Sequence, residues 1–174
     1  MDTIDFRNDI LPLKDMLFRL ALRITLDRAE AEDVVQETML KVWNRRDSWA
    51  AVDSTEAFCM TICRNLALDK TRKAERRSRH VAGSSPAAEP PDLSTTANPE
   101  EQAVQRNRME LVRGFVNSLP EKQRTAMQLR DFEGKSYKEV AAVMCISEEQ
   151  VKVNIFRARQ TIKKKLTETE NYGL

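Results

Sequence analysis

Residues Ser136–Lys165, SYKEVAAVMCISEEQVKVNIFRARQTIKKK, decide the fold that we expect for the second half of this chain. Ser136 and Ser147 each precede a Glu or Gln by three residues, which is the capping box that begins a helix. Cys145 and Ile146 fall in the short turn between the two helices. A short helix, a tight turn and a longer basic helix predict a helix-turn-helix motif, whose second helix can enter the DNA major groove.

Laid out at about 100° per residue, the second helix has one narrow apolar stripe that should pack inward. The stripe consists of Val151, Ile155, Ala158 and Ile162. Val153 and Phe156 instead face outward among cations. Apolar side chains on such a face can touch thymine methyl groups while the cations reach phosphates. The alternative is a solvated basic face with one stray Phe, because isolated exposed apolar residues are common.

Composition and charge favour an all-α protein made of two small helical domains. The 174 residues include only 4 Gly, and 32% of them are charged. The net charge of +2 is unevenly distributed, since residues 106–174 carry 14 Lys/Arg against nine acids. The basic excess thus lies beside the helix-turn-helix, as phosphate binding requires. No run approaches the roughly 18 apolar residues of a membrane span, and MDTIDFRND is no signal peptide, so we expect a cytoplasmic protein.

Apolar periodicity predicts helices over residues 9–26 and 28–46, with Asp27 capping the second. The buried face of the second helix should contain Val34, Val35 and Val42. Its outward face is acidic apart from one exposed Leu, and it includes Asp33, Gln36, Glu37 and Leu40. Two interpretations stay open for this face: a solvated acidic surface, or a docking patch for a basic partner.

A loop at residues 44–56 carries Trp49, and a third helix should cover about 56–78. Trp49 can be a lid over its own core or a stacking platform for an unpaired base. One face of the third helix presents Arg64, Asn65, Leu68 and Arg72 and runs into the basic segment 70–79. This pattern indicates a nucleic-acid surface, with a solvated helix end as the alternative.

Neither a metal site nor a catalytic site is expected. Cys59 and Cys63 share the apolar face of the third helix, His80 lies beyond its end, and a fourth ligand is lacking. Buried cysteine is common. A Gly-rich phosphate loop and a catalytic constellation are also missing from the sequence. We therefore expect no cofactor and no enzymatic activity.

Residues 79–99 hold four of the six prolines together with Gly, Ser, Thr and Ala. This composition predicts a flexible linker. It divides the chain into a first domain at residues 1–78 and a second, helix-turn-helix domain at 100–174. In the second domain we expect a helix to Asn117, another that begins at Pro120, and a left-handed stop at Gly134.

Three stretches, in this order, resemble one family: AEDVVQETMLKVW, FCMTICRNLALDKTRK and the segment from LPEKQRTAMQLRDFEGKS to the end of the helix-turn-helix. The chain resembles bacterial RNA polymerase sigma factors of the extracytoplasmic-function (ECF) class. The resemblance implies core RNA polymerase and promoter DNA as partners, no small-molecule substrate, and inhibition by an anti-sigma factor, often membrane-bound in the family.

The resemblance also implies a role for each of the faces described above. The polymerase-binding residues are then Asp33, Gln36, Glu37 and Leu40. The residues for the minus-ten promoter element are Trp49, Arg64, Asn65, Leu68 and Arg72. The residues for the minus-thirty-five element are Lys152, Val153, Asn154, Phe156 and Arg157.

Two other functions remain possible from the sequence. A stand-alone helix-turn-helix regulator would dimerise on paired half-sites and would not need the acidic face. An interaction protein with merely solubilising basic faces would leave Val153 and Phe156 unexplained.

Overall fold

The structure, a computed structural model, describes residues 4–79 and 99–172, and these residues contain helices and no strand. A π-helical turn, Phe6–Ile10, and a 3₁₀ turn, Leu11–Leu13, lead into α1 at Lys14–Thr25. The predicted helix over 9–26 therefore becomes regular only after Pro12, which has no N–H to donate. The helix α2 follows at Arg28–Asn44. A 3₁₀ segment, Arg46–Ala51, connects it to α3 at Thr55–Ser78.

Residues 99–172 contain four α-helices, all in the predicted order. These are α4 at Pro99–Asn117, α5 at Glu121–Met127, α6 at Tyr137–Met144 and α7 at Glu148–Asn171. A π-helical turn at Gln128–Phe132 extends α5 before Gly134 reverses the chain at a φ of +69°. Cys145 adopts the left-handed conformation between α6 and α7, so the predicted turn of the helix-turn-helix is confirmed.

Side-chain caps begin four helices, and those at Asp27, Ser136 and Ser147 lie where the sequence predicts them. The Asp27 carboxylate accepts a hydrogen bond from the backbone of Glu30 at the start of α2, and Ser54 caps α3. Ser136 and Ser147 each form a complete capping box. At α7 the Ser147 hydroxyl accepts from Gln150 N and the Gln150 side chain accepts from Ser147 N, both at 3.1 Å. These caps satisfy backbone N–H groups that a helix end leaves unpaired.

The helices α1, α2 and α3 pack against one another and form the core of the first domain. Leu17, Leu20 and Ile24 of α1 are fully or almost fully buried, as are Val34 and Val42 of α2. Cys59 and Cys63 of α3 lie in the same core. The buried face predicted for α2 is thus confirmed.

The two helical domains, which a linker joins, also pack against each other. The helix α6 lies on α3, and α5 lies on α1. Val140, Val143 and Met144 of α6 belong to the same apolar cluster as the first-domain core. A second, smaller cluster joins α4, α5 and α7. Residues 80–98 of the predicted linker lie outside the described residues.

We predict that Ser147→Ala lowers the free energy of unfolding by about 1 kcal/mol, because two backbone N–H groups at the start of α7 lose their capping arrangement. Ser147→Asp keeps an acceptor at the same position and should cost much less. Urea denaturation of the three proteins measures the difference. Equal midpoints for the wild type and Ser147→Ala would contradict the role of the cap.

Candidate functional site

The outward face of α2 combines acidic, amide and apolar side chains. Leu40 is 63% exposed, and Gln36 is exposed beside it. Glu37 is half-buried on the same side of the helix. Asp33 differs from these, because its carboxylate accepts a 2.5 Å hydrogen bond from Lys70 Nζ on α3. Asp33 therefore already has a cationic partner within its own domain, whereas Glu37 forms no ion pair with the described residues.

An apolar groove adjoins this face, and the sequence interpretation missed it. Its walls include Phe6, Leu11, Met39, Leu40 and Trp43. The Phe6 and Trp43 rings meet edge to face with centroids 5.3 Å apart. Trp43 follows Leu40 by three residues and therefore falls on the same side of α2. That spacing could have identified Trp43, whereas the contribution of Phe6 depends on how the N-terminal turn folds back.

The predicted minus-ten residues of α3 do not form one open surface in this structure. Asn65 and Arg72 are exposed, and Leu68 is half-buried. Arg64, however, is only 8% exposed. Its Nη2 lies 3.9 Å from Glu121 Oε1 of α5, so the second domain covers the arginine that was expected to contact DNA.

Trp49 lies in the core of the first domain and is 8% exposed. Its indole N–H donates a 3.1 Å hydrogen bond to the backbone oxygen of Val42. The ring fits the description of a lid over its own core, and in this arrangement it is not presented to an unpaired base.

The outward face of α7 agrees with the helical phase read from the sequence. Val151, Ile155, Ala158 and Ile162 are all buried. Val153 and Phe156 are exposed, Phe156 to 63%. Lys152 and Arg157 are exposed around them. Asn154 is half-buried, with its amide nitrogen donating to Gln150 O at 2.8 Å. The five predicted minus-thirty-five residues thus occupy neighbouring positions, and four of them are open to solvent.

No three His, Cys, Asp or Glu side chains come together as metal ligands in residues 4–79 and 99–172. Burial raises the pKa of Cys59 to about 11 and that of Cys63 to about 12. Both thiols therefore stay protonated at neutral pH as small apolar members of the core. His80 lies outside the described residues. No helix in the described part of the chain is long and apolar enough to cross a bilayer.

The fold and surfaces define a two-domain helical factor with a DNA-binding helix-turn-helix, and the comparisons with known proteins name its two parts. Residues 10–77 match the family model "Sigma-70 region 2". Residues 109–162 match "Sigma-70, region 4".

Several sigma factors are similar to the chain over most of its length. It is 32% identical to the ECF RNA polymerase sigma factor SigL of Mycobacterium tuberculosis, a match that covers 88% of this chain and 84% of SigL. It is also 32% identical to the RNA polymerase sigma-H factor of Pseudomonas aeruginosa, over 91% of this chain and 85% of that protein. The chain therefore belongs to the ECF RNA polymerase sigma factors. As a sigma factor it binds core RNA polymerase and directs promoter recognition and transcription initiation.

Two solved structures share the arrangement of the helices. The sigma factor RpoE, in complex with the anti-sigma factor NepR from Bartonella quintana, matches with a TM-score of 0.76 at 25% identity. That match covers 94% of this chain and 97% of RpoE. CnrH, in complex with the cytosolic domain of CnrY, shares the fold with a TM-score of 0.66 at 20% identity, over 94% of this chain and 88% of CnrH.

Neighbouring residues of α7 allow a matched test of its two faces. Phe156→Ala should lower the free energy of unfolding by less than about 0.5 kcal/mol, because the ring is exposed. Ile155→Ala should lower it by about 2–5 kcal/mol, because that side chain is buried. Thermal and urea unfolding measure both values. A large loss of stability in Phe156→Ala would show that the helical phase is wrong.

Proposed function

We propose that the outward face of α7 reads the minus-thirty-five element of promoters. The observation that carries this proposal is the exposure of Val153 and Phe156 among cations on the second helix of a helix-turn-helix. Phe156 and Val153 would contact base methyl groups, and Arg157 and Lys152 would contact phosphates or base edges. Asn154 is half-buried and would contribute at the edge of the same face. Arg159 is ion-paired with Asp131, so it holds α7 to the end of α5 rather than facing DNA freely.

We propose that α2 provides the docking surface for core RNA polymerase. Gln36, Glu37 and Leu40 would form its centre, and the groove at Phe6 and Trp43 would extend it. Asp33 would act from the edge, where Lys70 already balances its charge. An exposed apolar residue bordered by acids suits a basic partner surface that also has apolar side chains.

Recognition of the minus-ten element by the predicted residues of α3 requires a different arrangement of the two domains. Arg64 is covered by the second domain, whereas Asn65 and Arg72 are exposed beside it. We therefore propose that the structure is a closed state and that the domains separate when polymerase and promoter bind. Separation would expose Arg64 and Leu68 next to the other two residues. We assign Trp49 to this surface only through the loop that it anchors, because its ring is buried.

In the proposed domain division the linker comprises residues 79–99. It would then determine how far apart the two domains can make their two modest DNA contacts. Polymerase fixes the two domains at the spacing of the promoter elements, so each contact raises the effective concentration of the other. We propose an anti-sigma factor as a further partner, because RpoE, which shares this fold, was solved with the anti-sigma factor NepR. The chain has no catalytic role of its own in this proposal, and it acts in the cytoplasm with polymerase.

Purified protein added to core RNA polymerase should produce specific transcripts that core polymerase alone does not. Phe156→Ala should lower binding to promoters with an intact upstream element by about 1–3 kcal/mol, with little effect when that element is scrambled. A stand-alone regulator would bind paired half-sites as a dimer and would not confer promoter specificity on core polymerase. That result would overturn the proposal.

Two variants test the docking surface on α2. Glu37→Lys and Leu40→Asp should each weaken the association with core polymerase while circular dichroism stays unchanged, because neither side chain is in the core. Glu32→Lys is the control: it makes the same charge change on the same helix, about 140° away from Glu37 at about 100° per residue. Equal affinities for Glu37→Lys and Glu32→Lys would mean that this face does not dock.

A charge reversal tests the closed state. Arg19 of α1 forms two hydrogen bonds with the Glu133 carboxylate of the second domain, at 2.7 and 2.9 Å. Arg19→Glu should weaken closure by about 1.5–3 kcal/mol, the usual value of a charged hydrogen bond, and increase the radius of gyration measured by X-ray scattering. Arg28→Glu is the matched control, since both arginine side chains are 46% exposed but Arg28 pairs within α2. An unchanged radius for both variants argues against opening.

A further inference from the structure

A cavity of about 250 Å³ lies where α1 meets the second domain. Its walls come from α1, α4 and the turn after α5, so it exists only while the two domains are closed. Leu22, Leu26, Met109 and Phe132 provide its apolar wall. Arg19, Arg23 and Arg113 are the cations that line it, and Glu133 is the one acidic residue among the lining residues.

The cations of this cavity are not balanced by the single carboxylate. Glu133 is taken by Arg19 through two hydrogen bonds and also accepts one from Gln128 Nε2 at 3.0 Å. Arg23 donates only to neutral oxygens, those of Gln128 and Asn117, at 2.9 and 2.8 Å. Arg113 has neither a hydrogen bond nor an ion pair with the described residues. Arg23 and Arg113, from different domains, therefore both line the cavity, and neither is paired with a carboxylate of the described residues.

The pKa of Arg23 is lowered to about 10, mainly by burial and further by the charges of Arg113 and Arg124. Arg23 is still protonated at neutral pH, so it carries the positive charge that Arg113 repels. This repulsion opposes closure of the domains. Arg124 adds to the positive charge around Arg23, and its Nη atoms donate only to the neutral backbone oxygens of Ile24, Asn117 and Leu119. A negative charge between Arg23 and Arg113 would turn this repulsion into two attractions.

We propose that the cavity binds a small ligand carrying a phosphate or carboxylate group, and that this ligand holds the two domains closed. Arg23 contributes from α1 and Arg113 from α4, so one oxyanion bridges the domains through charged hydrogen bonds. Asn117 and Gln128 orient Arg23, and the Phe132 ring lies 5.4 Å from its guanidinium carbon. The apolar wall leaves room for an organic body attached to the anion. This consequence rests on the closed state proposed above: because closure covers Arg64, such a ligand would keep the sigma factor from promoter DNA.

The first experiment uses inorganic phosphate and pyrophosphate as probes with the full chain. Each is added at low millimolar concentration against sodium chloride of equal ionic strength, and the shift in melting temperature is recorded. Arg113→Ala tests the site, and Arg108→Ala on the same helix is the control, because Arg108 is exposed and pairs with Glu170 outside the cavity.

We expect the probes to raise the melting temperature of the wild type and of Arg108→Ala. Arg113→Ala should bind at least about tenfold more weakly, since it loses a charged hydrogen bond. In chloride alone Arg113→Ala should melt no earlier than the wild type, because removing the cation relieves its repulsion of Arg23. Equal responses of all three proteins to the probes would overturn the proposal.

The second experiment locates the bound anion, since the basic DNA-binding faces also attract phosphate. Arginine Nε–H signals are followed by nuclear magnetic resonance during the titration. Saturable shifts at Arg23 and Arg113 support the cavity. Shifts confined to Arg72 and Arg157 would place the anion on the DNA surfaces and overturn the proposal. Citrate, used in a parallel titration, distinguishes a carboxylate ligand from a phosphate ligand at the same site.

Discussion

The packing of α6 against α3 is the constraint on which the rest of the structure depends. Val140, Val143 and Met144 bury their side chains in the same cluster as the first-domain core, so each domain contributes part of the other's apolar environment. The same contact decides which surfaces are open. It leaves the outward faces of α2 and α7 exposed and puts Arg64 under α5. One packing contact thus separates the surfaces that are open in this arrangement from those that are covered.

The polar part of this interface is what makes a reversible contact physically reasonable. Arg19 and Glu133 pair across it, and Lys135 pairs with Glu56. Arg64 and Arg124 each keep a buried Nε without a hydrogen-bond partner among the described residues. A buried polar group that lacks a partner costs free energy, whereas water satisfies it after opening. Interfaces between domains of one chain are often of this polar kind, and relative motion is their usual behaviour.

The helix α7 packs with one face and leaves the other open for the recognition that we propose. Its inner stripe is buried against the rest of the second domain, while Phe156 one residue after Ile155 is left in solvent. Exposing a Phe brings no benefit to folding, because the apolar area stays in water. The side chain is therefore available for a partner, and DNA is the partner that the surrounding cations favour. The outward face of α2 likewise exposes an apolar side chain, there among acidic residues, and is available for a basic partner.

The sequence by itself determined the helices, their caps and the two faces of α2 and α7, because these depend on periodicity and on residues three or four positions apart. It also identified the family, because the motifs of the family lie within single helices. Only the tertiary structure decided that Arg64 and Trp49 are buried, that Phe6 reaches Trp43, and that Arg23 and Arg113 line one cavity. Each of these depends on residues distant in the chain, and helical phase predicts which way a side chain points but not what is placed over it. For Arg64 the phase was consistent with an outward face, and the second domain then covered it.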